Sequence, residues 1–267
     1  MHSGIFPKIM GIINVTPDSF SDGGFFFERE KAIEHGLQLI EEGADMIDIG
    51  GESTRPGSLP VSEEEELNRV IPVITGILKH YPDATISIDT TKPKVAKESI
   101  KNGAKIINNV FGISKNDELC EIASRYNATL ILMHIQGSPK IMQENPVYNN
   151  VVEDVFNELN QAIKHARSKG VKNIIGDVGI GFGKTLEHNL ELLKNHQTFT
   201  KLGVPLLLGI SRKSFIGKVL GIEASEERDI ATALYHSLLL KAKADIIRVH
   251  NVKLISMLMQ INNSINN

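Results

Sequence analysis

The sequence predicts an α/β chain folded as a single-domain (β/α)8 TIM barrel over residues 1–267, and three observations carry that prediction. Eight short apolar runs recur along the chain, each the length of a strand buried on both faces. Segments with helical spacing lie between them. Most of the runs follow a glycine-bearing helix stop of the kind that takes a left-handed cap. Alternation of strand and helix through one chain of this length matches a closed parallel barrel. A doubly wound open sheet is the alternative, but no G-x-G-x-x-G fingerprint follows the first strand.

The elements follow in order. "KIMGII" is the first strand, and the polar stretch "NVTPDSFSDGG" follows it at once. "EREKAIEHGLQLIEE" has helical spacing and stops at "EEGAD", from which the strand "DMIDIG" emerges. "SEEEELNRVIPVITGILKHY" is the second helix, where Ser62 with Glu65 three residues on predicts a capping box and the acids suit the positive helix end. "TISID", "KIINNV", "TLILMH", "NIIGDV", "PLLLGIS" and "DIIRVH" complete the strands. "KPKVAKESIKN", "NDELCEIASRY" and "VVEDVFNELNQAIKHARSK" are helices between them, and "KNGAK", "SKGVK" and "KLGVP" are further stops. No linker or low-complexity block divides the chain.

Composition narrows the partner. A formal net charge of -3 and a pI near 6.3 provide no bulk attraction to nucleic acid or to an anionic membrane. The longest apolar runs are too short to span a bilayer, and the N-terminal residues do not read as a secretion signal, so the expected location is cytoplasmic. Cys120 is the only cysteine, which excludes an intramolecular disulfide, and it reads as a core thiol on an amphipathic helix. A small-molecule substrate is the expectation that remains.

Chemistry in such barrels sits where strands end at the C-terminal face. Those ends carry Asn14, the "GGESTRPG" loop, Asp89, Asn108, His134, Asp177, Ser211 to Lys213, Arg248 and His250. Singly, Asp89 could cap a helix, Asn108 could satisfy a loop carbonyl and His134 could be a core histidine. Arg248 is harder to dismiss, because a guanidinium at the end of an apolar strand must be paired or bound to an anion. Converging carboxylate, amide and ammonium groups suit a flat heterocycle edge, and Arg248 with His250 suits an anion. "GIGFGKT" is no P-loop, since the first glycine would fall on Val178, and the nine histidines show no zinc-like spacing.

The segments "MGIINVTPDSFSDGG", "GGESTRPG", "SIDT", "MHIQGSPKIMQENP", "GIGFGKT", "GISRKSFIGK" and "IIRVHNV" together resemble those of the dihydropteroate synthases, in order and across nearly the whole chain. The resemblance implies a homodimeric, pterin-binding barrel, a transferase that joins 4-aminobenzoate to (7,8-dihydropterin-6-yl)methyl diphosphate with Mg²⁺ and releases pyrophosphate. It implies Asn14 as metal ligand and Asp89, Asn108, Asp177 and Lys213 as pterin contacts. Thr54 and the segment Arg248, Val249 and His250 would address the diphosphate-bearing substrate. Phe20, Thr54, Arg55, Pro56, Phe182, Ser211 and Ser214 would form the 4-aminobenzoate pocket, where sulfonamides would compete. Asn14, Asp22, Lys213, Arg248 and His250 are the implied catalytic group, with Asp22 an electrostatic support in the first loop.

Two positions depart from the family pattern: Asn109 stands where an Asp is usual, and Val178 where a Pro is usual. Neighbouring strand residues point to opposite sides, so Asn109 is expected to face away from Asn108 and leave the pterin contact intact. Methyltetrahydrofolate:corrinoid methyltransferases are similar in barrel and pterin pocket. They have no need of the first loop, the "STRPG" segment or an anion-binding Arg248.

Overall fold

Eight parallel strands close on themselves in sequence order, each hydrogen-bonded to its chain neighbours and the last to the first. They are β1 (Lys8–Asn14), β2 (Met46–Gly50), β3 (Ile86–Asp89), β4 (Ile106–Asn109), β5 (Thr129–Met133), β6 (Asn173–Asp177), β7 (Leu206–Leu208) and β8 (Ile246–Val249). This computed structural model describes residues 7–16, 24–53, 60–110, 117–137, 142–240 and 243–266. The helices are α1 (Gly24–Glu41), α2 (Glu63–His80), α3 (Pro93–Lys101), α4 (Asp117–Tyr126), α5 (Val151–Ser168), α6 (Leu186–Lys194), α7 (Ser214–Leu220), α8 (Asp229–Leu239) and α9 (Val252–Asn266). The predicted barrel is the observed one.

Local sequence accounts for the element ends. Gly43, Gly103, Gly170 and Gly203, the glycines of the four predicted stops, all have positive φ, which a side chain would strain. At the start of α2, Ser62 Oγ accepts the Glu65 amide at 3.2 Å, but the Glu65 carboxylate turns to Arg69 at 2.9 Å, so only half of the expected capping box forms. A full box occurs instead at α6, between Thr185 and His188.

Strand alternation sorts the side chains into two sets. One set faces the helices and joins the main core, as with Ile47, Ile49, Ile86, Ile88 and Ile107. Each such buried side chain stabilises by about 1.5–3 kcal/mol. The other set fills the barrel: Met10, Met46, Ile106, Ile131, Ile175, Leu207 and Ile246 form a separate apolar plug. Two residues further along their strands, on the same inward side, come Asp48, Asn108, Met133, Asp177 and Arg248. The plug closes the barrel beneath, so this polar layer opens only toward the C-terminal face.

Candidate active site

Arg248 lies at the centre of the polar layer. Its Nε donates to Asp48 Oδ2 at 2.6 Å and its Nη2 to Asp89 Oδ2 at 2.8 Å, while Asn108 Nδ2 donates to the same Asp48 oxygen at 2.9 Å. Asp48 is fully buried. Burial opposes the guanidinium charge, yet Asp48 and Asp89 outweigh it and hold Arg248 above its ordinary pKa. One cation cannot serve two carboxylates fully. Burial first, and Asp48 second, push Asp89 up to about 7.

Asp177, at the end of β6, is the third buried carboxylate. Its Oδ1 accepts the Gly179 amide at 2.8 Å, and burial raises its pKa against the opposing pull of that hydrogen bond and of Lys213. Lys213 caps α7, and burial presses its ammonium down to about 7 although Asp177 acts the other way. Its Nζ sits 3.8 Å from the centre of the Phe182 ring. Asp89, Asn108, Asp177, Lys213 and Arg248 line one cleft together with Val110, Met133, Ile180 and Phe182. A larger recess of about 290 Å³ lies at the opposite end, between the starts of β2 and β3. That recess has Asp45 and Asp83 in its lining, whereas charges of both signs converge on the cleft.

The last two strands supply an adjoining polar group. Ser211 Oγ is 2.9 Å from His250 Nδ1 and accepts the His250 backbone amide at 3.1 Å, which fixes the ring relative to the strand end. Arg212, between Ser211 and Lys213, has φ +59 and is held by a two-pronged pair with Asp229 at 2.7 and 2.8 Å. Asn251 donates to the same Asp229, so the loops after β7 and β8 share one anchor. Ser214 is exposed at the first residue of α7. At the far side, an added Cβ on Gly50 would lie 3.9 Å from Asn14 Oδ1 and 3.5 Å from Asp89 Cβ, so Asn14 and Asp89 face each other across that glycine.

Among the sequence-predicted residues, Asn14, Asp89, Asn108, Asp177, Phe182, Ser211, Lys213, Ser214, Arg248 and His250 thus lie at the C-terminal end of the barrel. Phe20, Asp22, Thr54, Arg55 and Pro56 lie outside the described residues. Val249 is placed differently: its side chain is 1% exposed in the helix-side core, because it follows the inward Arg248 by one strand residue. Only its backbone can face the cleft. Asn109 likewise faces away from Asn108, and Val178 packs into the core while the His134 amide donates to Asp177 O at 2.9 Å. Neither departure removes a cleft side chain.

Three participants escape a reading of strand ends alone. Asp48 sits one layer deeper, and the inward alternation Met46, Asp48, Gly50 is the signal for it. Lys184 is buried in the loop after β6, with Nζ 3.0 Å from His134 Nδ1 and burial pressing it down to about 7. His134 itself is fully buried, as a core histidine would be, with Nε2 3.2 Å from Glu158 Oε2 but off the line of a hydrogen bond. Lys92, finally, bridges Glu52 and the fully buried Glu66, and Glu52 also accepts the Val61 amide at 3.2 Å. The hydrogen bond from the Val61 amide ties residue 52 to residue 61, the two sides of the "STRPG" segment.

Comparison with known proteins agrees with this geometry. Residues 10–250 match the pterin binding enzyme family. The dihydropteroate synthase of Clostridium beijerinckii is 46% identical over 91% of this chain and 88% of its own length. That of Haemophilus influenzae is 43% identical over 96% and 92%. Among solved structures, Xanthomonas albilineans dihydropteroate synthase with 4-aminobenzoic acid superposes with a TM-score of 0.90 at 39% identity, covering 97% of this chain and 93% of that one. Fold, strand-end residues and relatives therefore agree: the chain belongs to the dihydropteroate synthase family of pterin-binding enzymes.

Proposed function

We propose that this chain condenses (7,8-dihydropterin-6-yl)methyl diphosphate with 4-aminobenzoate, releasing pyrophosphate and 7,8-dihydropteroate, by a dissociative substitution. The observation that carries the reading is the convergence of Asp177, Asn108 and Lys213 on one cleft floored by Arg248. A carboxylate that can accept two hydrogen bonds suits the donor-rich edge of a pterin, and an amide and an ammonium suit its acceptors.

Among the described residues of this layer, three carboxylates, Asp48, Asp89 and Asp177, face Arg248 and Lys213. The excess of negative charge stabilises a cation developing on the exocyclic carbon of an electron-rich dihydropterin. Burial near that carbon strengthens the effect. 4-Aminobenzoate is already a neutral amine at pH 7, so its nitrogen needs no strong base before it attacks. Phe182 and Ser214 would meet it, with Phe20, Thr54, Arg55 and Pro56 completing the pocket.

His250, oriented by Ser211, would receive the leaving diphosphate together with Thr54, with Asp22 as a further electrostatic support. Arg248 would contribute its charge from the floor, since two of its nitrogens already serve Asp48 and Asp89. Asn14 would hold Mg²⁺. Its amide oxygen, at the end of β1, is a hard ligand of the kind Mg²⁺ takes. When bound there, Mg²⁺ would neutralise charge on the departing pyrophosphate.

A homodimer is part of the proposal. Ile230, Leu234 and Leu238 on α8, and Met257, Ile261 and Ile265 on α9, are exposed at four-residue spacing, and Leu238 is 80% exposed. An apolar face of this kind suits a second copy. Glutamate at Leu234 and Leu238 should yield monomers in sedimentation. We place the enzyme in the cytoplasm, a location that suits a chain with one cysteine and, among the described residues, no helix long and apolar enough to cross a membrane.

The test is pyrophosphate release by the purified protein with Mg²⁺. Release only when both substrates are present supports the reaction. Release that ignores 4-aminobenzoate, or none at all, would sink it.

A further inference from the structure

We propose that Lys184 is a positioning residue for the aminobenzoate half of the reaction: its ammonium, buried within the loop between β6 and α6, holds the backbone so that the Phe182 ring faces the cleft. The proposal rests on the assignment of Phe182 to the aminobenzoate pocket.

The loop from Val178 to Thr185 coils tightly against the chain leaving β5. Gly179 and Gly183 have φ +67 and +61, and a Cβ on either would meet a carbonyl, His134 O at 1.9 Å or Gln136 O at 2.3 Å. A coil this close to its neighbour has little room for side chains, so its carbonyls need donors from elsewhere. Gly181 O accepts from Gln143 Nε2 at 2.7 Å, and Gly183 O from Tyr148 Oη at 2.8 Å. Gly179 O and Phe182 O both accept from Lys184 Nζ, each at 2.9 Å. The third near acceptor is His134 Nδ1 at 3.0 Å. An ammonium has three N–H donors, and here each has its acceptor.

The two carbonyls depend on that ammonium unequally. Gly179 O also accepts the Phe182 amide at 3.1 Å and keeps a partner if the lysine is lost. Among the described residues, Phe182 O accepts only from Lys184. Phe182 is therefore gripped at its carbonyl by Lys184 and at its ring by Lys213. Lys184 is 3% exposed and does not line the cleft, whereas Phe182 does. Asp177 retains the Gly179 amide in either case, so the pterin half of the site is held independently. A methionine would fill the same space without charge.

The experiment is steady-state kinetics with each substrate varied, on the parent, Lys184→Met, Phe182→Ala and the double variant. Lys184→Met is expected to raise the KM for 4-aminobenzoate by at least about fivefold, with kcat and the KM for the pterin diphosphate within about twofold of the parent. In the Phe182→Ala background the same change should add less than about twofold. An aminobenzoate KM that stays at the parental value while Phe182→Ala raises it overturns the role of Lys184 alone. So does an effect that persists undiminished in the Phe182→Ala background, or an equal rise in the pterin KM. If Phe182→Ala itself leaves the aminobenzoate KM unchanged, the pocket assignment fails and the proposal fails with it. Lys184→Gln, which retains two donors, should lie between parent and Lys184→Met. If neither Lys184 variant folds under conditions where Phe182→Ala does, the lysine serves stability alone and the proposal is wrong.

Discussion

Arg248→Met removes the guanidinium that touches both Asp48 and Asp89. In the parent the guanidinium reaches them at 2.6 and 2.8 Å, and Asp48 is fully buried, with Asn108 its other donor. Deleting one partner of a buried ion pair costs about 3–5 kcal/mol, because the surviving charge stays desolvated. Two carboxylates are stranded here, but one can escape by taking a proton. Asp89 already titrates at about 7 with Arg248 present, and without it must rise further. A carboxyl whose folded pKa exceeds its unfolded value stabilises the fold below the unfolded pKa, and that stability is lost as pH rises through the folded one. The variant should therefore lose ~3–5 kcal/mol at pH 8 and about 1.4 kcal/mol less at pH 6, since the parent's Asp89 itself holds the proton below about pH 7 and only the interval above that separates the two proteins. Urea titrations at the two pH values measure both numbers. A loss below about 1 kcal/mol at pH 8, or an equal loss at both, would refute the shared-cation reasoning.

His236 gives a second pH signature: burial lowers it to about 3, and neither ring nitrogen has a partner among the described residues. The unfolded chain protonates it below about 6.5, so its contribution is lost progressively between about pH 6.5 and pH 3, and His236→Leu should flatten that limb by up to about 1.4 kcal/mol per pH unit in urea titrations. Unchanged acid sensitivity would count against it. Sulfamethoxazole should inhibit competitively against 4-aminobenzoate, because its aniline and sulfonyl groups copy the amine and carboxylate that Phe182 and Ser214 are assigned to meet. Full activity at high drug with normal substrate affinity would show that pocket to be misassigned.

Strands buried on both faces leave an unbroken apolar run, and a helix stop leaves a glycine, so β2 and the stops at Gly43 and Gly170 are visible in the sequence itself. Asn14, Asp89, Asn108, Asp177 and Arg248 are visible for a related reason: each is a polar group at the end of such a run. Depth is harder to read. Asp48 lies inside "DMIDIG", and its partnership with Arg248 spans 200 residues and depends on barrel closure, which no local pattern encodes. Arg248 consequently reads from sequence as an anion's fork, whereas the structure engages it with carboxylates. Lys184 is hidden differently. "GFGKT" invites comparison with a phosphate loop, and only the coiled backbone shows the ammonium turned inward on its own carbonyls. The full capping box predicted at Ser62 fails because Arg69, one helical turn on, takes the Glu65 carboxylate.

That Asp177 reads the pterin edge is tested most directly by calorimetric titration of the parent and of Asp177→Asn with pteroic acid. Asparagine can keep the bond from the Gly179 amide through its oxygen, but it then turns an N–H₂ donor toward the donor-rich ring edge. Loss of a charge-assisted bond costs about 1.5–3 kcal/mol, which predicts an affinity weaker by about 10- to 100-fold with the fold intact. Equal affinity in the two proteins would contradict the placement of the pterin in this cleft.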